Sequence, residues 1–326
     1  MKTMCSTLIN SIAAAFAALM LTACGNDGGG GGGGGSTGTA SLSLTDAPID
    51  EALDVTVRVD GVEFQPNGGD RVMFYLADTT GTCEVVDVQD SLNPCEVNLL
   101  DYQGIDRITL LDKVTLPAGK YSWLRLILND EPGSITLLDG SLFDLRIPSG
   151  AETGLKLHSG FIVAQGNHTD YTIDFDLRKS VHNPQGQEEY ILRPTLRIMD
   201  NSQVGTLSGY VDHSFFEGGD CNGAVYLFYS DTPDVPDDVD VDIQGNDIGG
   251  PDPITTVQVP DDGTHEYMVG FLAEGDYLAA FTCDALADDP AVDDNAETVS
   301  FLSEITVTMT AGEDNPDQNF LPAPAP

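Results

Sequence analysis

Eight aspartates, Asp231, Asp234, Asp237, Asp238, Asp240, Asp242, Asp247 and Asp252, crowd a stretch broken by Pro233, Pro236 and Gly249-Gly250. Hard oxygen ligands at this density suit calcium, which takes about six to eight of them. Asp231, Asp234, Asp237, Asp238, Asp240 and Asp242 are therefore the candidate calcium ligands, and calcium is the only cofactor the sequence suggests. A solvated acidic loop is the competing reading, and composition alone favours it. Asp238-x-Asp240-x-Asp242 begins like an EF-hand loop, but Ile243 stands where the turn glycine belongs and no Glu closes the loop, so that motif is rejected. A second acidic cluster, Asp288, Asp289, Asp293, Asp294 and Glu297, faces the first if both loops lie at one end of a sandwich.

Other residue types that do chemistry are present without a motif to place them. Asp174 and Asp176 fall on one face of a strand, an arrangement open to acid/base work or cation binding, although polar-out alternation explains it with less. His158, His168, His182, His213 and His265 are scattered, as expected for surface residues of strands and turns, and His265-Glu266 lacks the second histidine of a zinc-protease helix. Gly34-Gly35-Ser36-Thr37-Gly38 matches the letters of a nucleophile elbow, yet it lies in a glycine run rather than between a strand and a helix. No residue is assigned a catalytic role, and the chain is expected not to be an enzyme.

Cysteines supply covalent chemistry instead. Beyond the N-terminal segment stand Cys24 and four others, Cys83, Cys95, Cys221 and Cys283. In an oxidising compartment four cysteines allow three connectivities, and only Cys83 with Cys95 and Cys221 with Cys283 keeps both bonds within the domains proposed below. Zinc is a poor alternative, because there is no C-x-x-C spacing and histidines are few.

The elements that must position these residues read as β-strands. Leu53-Asp54-Val55-Thr56-Val57-Arg58-Val59-Asp60 alternates with period two, and Ser41 to Leu44, Leu124 to Leu128, Ile173 to Leu177 and Glu304 to Met309 do likewise. Turn signals such as Asn67-Gly68-Gly69, Pro117-Ala118-Gly119, Asp139-Gly140 and Asp262-Gly263 separate them. The fold class is all-β, with two antiparallel sandwiches; only residues 97–111 admit a helical turn. All 13 Lys and Arg lie at or before Arg197, whereas 27 Asp and Glu follow it, and this asymmetry places a domain boundary near residue 203. The net charge of −40 argues against nucleic acid and anionic lipid surfaces as partners.

At the N-terminus, Lys2 precedes an apolar run from Ile9 to Leu21 that is shorter than the roughly 20 residues of a spanning helix and reads as an export signal. Leu21-Thr22-Ala23-Cys24 resembles the bacterial lipobox. That resemblance implies cleavage before Cys24, a diacylglycerol on its sulfur and, with Gly25 rather than Asp next, sorting to the outer membrane. Gly28 to Gly35 and the following Ser and Thr form a flexible tether. The expected organisation is thus a signal peptide over 1–23, a lipidated linker over 24–38, a β domain over 39–203 and an acidic β-sandwich over 204–326.

Thr45-Asp46-Ala47-Pro48, Leu116-Pro117-Ala118-Gly119-Lys120-Tyr121, Pro148-Ser149-Gly150, Gly154-Leu155-Lys156-Leu157, Asp174-Phe175-Asp176 and Tyr190-Ile191-Leu192-Arg193-Pro194 together resemble the bacterial lipoprotein family of domain of unknown function 4382, over about residues 39–199. The resemblance implies an envelope location and a β-rich fold, not a reaction. Gly209-Tyr210-Val211, Ala224-Val225-Tyr226-Leu227 and Phe271 to Tyr277 resemble prealbumin-like modules of the carboxypeptidase-regulatory kind, in which the glycine-x-tyrosine corner is structural. The expected role is binding or scaffolding at the envelope, with the membrane, envelope proteins or glycans as partners. The alternative is a calcium-dependent carbohydrate-binding or carbohydrate-processing surface protein, against which Trp123, the sole tryptophan, reads as core in an apolar strand.

Overall fold

Alternating segments become strands wherever turn residues interrupt them. The computed structural model of the chain describes residues 36–47, 52–79, 81–86, 94–148, 154–183, 190–219, 221–231, 236–239, 250–288 and 299–322. The first part contains β1 (Thr37–Ala47), β2 (Ala52–Pro66), β3 (Val72–Tyr75), β4 (Cys95–Asn98), β5 (Ile108–Pro117), β6 (Gly119–Leu137) and β7 (Leu142–Arg146). It continues with β8 (Leu155–Leu157), β9 (Phe161–Val163), β10 (His168–Asp176), one helical turn α1 (Leu177–Ser180), β11 (Val181–His182), β12 (Tyr190–Leu192) and β13 (Thr195–Asp200). A turn at Asn201-Ser202-Gln203 leads to β14 (Val204–Tyr210), β15 (Gly223–Tyr229), β16 (Thr255–Val259), β17 (Glu266–Ala273), β18 (Gly275–Thr282) and β19 (Phe301–Met309).

In the first lobe a sheet ordered β13-β10-β1-β5 faces a larger one ordered β11-β12-β7-β6-β2-β3, with β4 added to β2 and β8 and β9 to β6. Leu42, Leu44, Ile173 and Phe175 from one sheet meet Val57, Val62, Leu124 and Leu126 from the other in a single apolar core. Pairing is antiparallel except for β1 with β10 and β12 with β7, which run parallel. β1 is hydrogen-bonded on both edges, its polar residues Ser41, Ser43, Thr45 and Asp46 are also buried, and Ser41 donates to Asp112 at 3.1 Å. Residues 97–111 hold one turn of 3-10 helix, Leu99–Asp101, before β5 begins.

Trp123 departs from the expected core position. The register of β2 on β6 slips between Gln65 and Pro66, so Tyr121, Leu124, Leu126 and Leu128 point inward while Trp123 stays half-buried on the outer face. An extra residue in one strand reverses the inside–outside parity beyond it, which alternation alone does not announce.

In the second lobe β14 and β17 pair across from a sheet ordered β16-β15-β18-β19, enclosing Leu207, Val225, Leu227, Val269, Phe281 and Phe320. The same four-stranded sheet buries its other face too, through Ala224, Tyr226, Phe228, Val239 and Ala280. A strand covered on both sides reads as a continuous apolar run, as Gly223–Tyr229 does. Residues 35–326 form one compact unit holding both cores.

One device recurs in both lobes. Leu116-Pro117-Ala118-Gly119-Lys120-Tyr121 and Leu272-Ala273-Glu274-Gly275-Asp276-Tyr277 each join two strands, and each buried tyrosine donates its hydroxyl to the carbonyl four residues back, Pro117 at 2.8 Å and Ala273 at 2.9 Å. Gly119 sits at φ +144°, a conformation that side chains disfavour. Tyr277→Phe leaves the Ala273 carbonyl without its donor and is expected to cost about 1–2 kcal/mol. Thermal unfolding by circular dichroism checks this, and an unchanged melting temperature would show that the corner does not hold the strand crossing.

Candidate functional site

One described aspartate from each acidic stretch meets a cation of the first lobe. Helix α1 carries Arg178 and Lys179 out of β10, with Asp176 accepting from the Lys179 amide at 3.2 Å as its N-cap. Arg178 Nη1 donates to the Tyr226 hydroxyl and to Asp288 Oδ2, both at 2.6 Å, and Tyr226 donates to the same carboxylate oxygen at 2.6 Å. The Val239 amide is a further donor to Asp288. The Arg178 and Asp288 side chains are 3% and 0% exposed. Beside them Lys179 Nζ lies 2.9 Å from Asp252 Oδ2, with both side chains mostly buried. Asp252 and Asp288 thus belong one to each acidic stretch, and a side-chain cation from the first lobe neutralises both.

Asp174 and Asp176 lie on this seam but do not act as a free carboxylate pair. Arg197 Nε donates to Asp174 at 2.5 Å, while Asp176 caps α1. Burial, opposed by Lys179, pushes the Asp176 carboxyl up to about 6. A raised folded-state value means that the native protein keeps a proton the unfolded chain loses above about pH 4. The associated stability is therefore present below about pH 4 and lost as pH rises through 6. Asp176→Asn, which mimics the protonated acid and still caps a helix, is expected to gain about 1–2 kcal/mol over wild type at pH 7.5 and nothing at pH 4. Urea unfolding at both pH values tests this; an equal difference at the two would rule out titration of Asp176.

Along the same seam Gly104 and Gly270 approach so closely that a Cβ on Gly270 would lie 2.4 Å from the Gly104 carbonyl oxygen. Asp46, Thr255, Thr256, Val257 and Phe271 line the narrow space around them. Phe271 holds φ +57°, a left-handed conformation stored where the lobes touch.

The remaining expected site residues are distributed as follows. Disulfides join Cys83 with Cys95 and Cys221 with Cys283, at Cα separations of 5.7 and 4.5 Å. Of the candidate calcium ligands, Asp231 is exposed, Asp237 half-buried and Asp238 buried, while Asp234, Asp240 and Asp242 lie outside the described residues, as does Cys24. Among the described residues no group of three or more His, Cys, Asp or Glu is placed to hold a metal. None of the described helices is long and apolar enough to cross a membrane.

The histidines contain a pair that their spacing conceals. His213 Nδ1 and His265 Nε2 are 3.0 Å apart, and the Phe216 ring stacks on His265 with centroids 4.0 Å apart. His265 Nδ1 lies 3.2 Å from the Pro260 carbonyl, which only accepts, so in a neutral His265 imidazole Nε2 is the acceptor facing His213. His265 and His182 are both buried, against the expectation of surface histidines, because the first closes a turn under β17 and the second pairs with β12. No linear signal joins residues 52 positions apart.

Residues 37–194 match the family model described as "Domain of unknown function (DUF4382)". The match covers the first lobe up to the Arg193-Pro194 segment after β12, so α1 with Arg178 and Lys179 falls within the DUF4382 region and their partners Asp288 and Asp252 beyond it. No curated protein matches the chain. Solved structures similar to it include a leucine-rich repeat protein from Bacteroides thetaiotaomicron, at 12% identity and TM-score 0.19 over 88% of this chain and 26% of that one. The TIE protein of Bacillus anthracis aligns at 12% identity and TM-score 0.20, over 88% of this chain and 34% of that one. GBS52, the minor pilin of Streptococcus agalactiae, aligns at 10% and 0.18, over 88% and 98%. The chain therefore spans about a quarter to a third of the first two proteins, and likeness at these scores carries no functional conclusion.

Proposed function

We propose that this chain is an envelope protein, tethered through a lipid on Cys24, whose two β lobes (39–203 and 204–326) act together as a non-catalytic binding or scaffolding body. The observation that carries the reading is the seam: Asp174, Arg178, Lys179, Arg197, Asp252 and Asp288, five mostly buried charges and the half-buried Arg197, pair with one another. A body that fixes its ionic groups in this way presents a stable shape rather than a reacting centre. The lipobox-like Leu21-Thr22-Ala23-Cys24 and the glycine run supply the anchor, since strand β1 begins at Thr37, only 13 positions after Cys24. Such a linker reaches roughly 20 Å in root-mean-square terms.

Metabolic labelling with radioactive palmitate tests the anchor. Wild type is expected to incorporate label and sediment with membranes, and Cys24→Ser to lose both properties. A labelled Cys24→Ser protein, or an unlabelled wild type, would remove the lipoprotein reading.

A further inference from the structure

The outer face of the large first-lobe sheet carries the chain's only tryptophan among cations. Lys156 Nζ lies 4.2 Å from the centre of the Trp123 ring, and the Arg125 and Arg71 guanidinium carbons lie 5.7 and 5.8 Å from it. Lys156 and Arg125 are cross-strand partners on β8 and β6. Lys120, exposed and earlier on β6, pairs with Ile162 of β9, itself 53% exposed. Four cations thus surround an indole and an exposed aliphatic side chain. Among the described residues the acids beside them are Glu63, which bonds Arg71 and Arg125, and Asp70, next to Arg71 in sequence. In a chain of net charge −40 this is a local reversal of sign.

The position of the patch says what it faces. The Ala118 amide donates to the Ser36 carbonyl at 2.8 Å, so the linker enters the fold at the β5–β6 turn, two residues before Lys120. Trp123 stands four residues from Gly119 along β6, about 13 Å at strand rise. The cations and the indole therefore lie at the end of the lobe from which the tether emerges, within the tether's own reach. Tryptophan and basic residues flanked by aliphatic surface are the side chains that settle at a lipid–water boundary. Repulsion from the rest of the acidic surface is screened beyond about 8 Å at physiological salt, and a surface already tethered needs no long-range attraction.

We infer that the face formed by Lys120, Trp123, Arg125, Lys156, Arg71 and Ile162 seats on an anionic lipid surface and orients the tethered protein. The inference takes its geometry from the lipid-anchor reading, but its test does not depend on lipidation. The chain from residue 24 onward with Cys24→Ser keeps every described residue and carries no lipid, and its single tryptophan reports directly on this face. With vesicles of phosphatidylethanolamine and phosphatidylglycerol, Trp123 emission is expected to shift to the blue and to be quenched by brominated acyl chains. Phosphatidylcholine vesicles are expected to give neither effect.

Lys156→Glu and Lys120→Glu are each expected to weaken vesicle partitioning about tenfold. Lys113→Glu, an exposed charge reversal on β5, carries the same change in net charge and is expected to leave partitioning unchanged. An unmoved spectrum with anionic vesicles overturns the proposal, as does equal weakening by Lys113→Glu. A shift produced by a soluble uronate polymer and by no vesicle also overturns it, and makes the face a site for acidic glycans. Palmitate labelling separates a failed anchor from a failed face.

Discussion

Arg178→Met is expected to destabilise the protein by about 3–5 kcal/mol, the cost of leaving a buried carboxylate without its cation. Asp288 accepts from Arg178, Tyr226 and the Val239 amide in a place with no access to water, so removing the guanidinium strands a charge. At this chain length the loss corresponds to roughly 10 °C in melting temperature. It is also expected to divide one unfolding transition into two, because Arg178 belongs to the first lobe and both of its partners to the second. Arg178→Met combined with Asp288→Leu is expected to recover most of the loss, since an apolar replacement of a whole buried pair is often neutral. Calorimetry of the two single variants and the double closes the cycle. Additive losses would mean that the pair does not couple the lobes.

Removing the Cys221–Cys283 bond by paired alanine substitution is expected to cost more than removing Cys83–Cys95. The two bonds close 62 and 12 residues of sequence. Chain entropy alone gives about 4 kcal/mol for the longer loop and about 3 for the shorter. The longer bond also ties the segment just before β15 to the residue after β18, pinning one end of the two central strands of the sheet that carries Tyr226. Denaturant unfolding of the two paired variants decides the order. A greater loss from the Cys83/Cys95 pair would assign the stabilisation to native packing around those sulfurs rather than to the unfolded chain.

Strands were the most legible feature of the sequence because alternation is a local signal. Val55, Val57 and Val59 face the core as their period implies, and Val307 and Met309 do so on β19. The disulfide pairing followed from compartment and domain bookkeeping alone. What escaped depends on contacts distant in sequence or on a single slip of register. Nothing local to Leu177-Arg178-Lys179-Ser180 says that its arginine enters the other lobe. The His213–His265 pair is hidden for the same reason. Trp123 shares the outer parity of Arg125, opposite to Tyr121 because Ser122 is the extra residue between them, and β1 pairs in parallel with a strand 129 residues away, beyond any periodic pattern.

That parallel partner has a mechanical consequence. Strand β1 is gripped along its length, from Thr39 to Ala47 by β10 and from Thr37 to Leu44 by β5, with hydrogen bonds running across the strand direction. Tension drawn through the N-terminal tether pulls along β1, so it loads those bonds together in shear instead of opening them one after another as a zip. Extracting the first strand requires the whole ladder to yield at once, so the anchor proposed at Cys24 would transmit drag or collision into the most resistant geometry of the lobe.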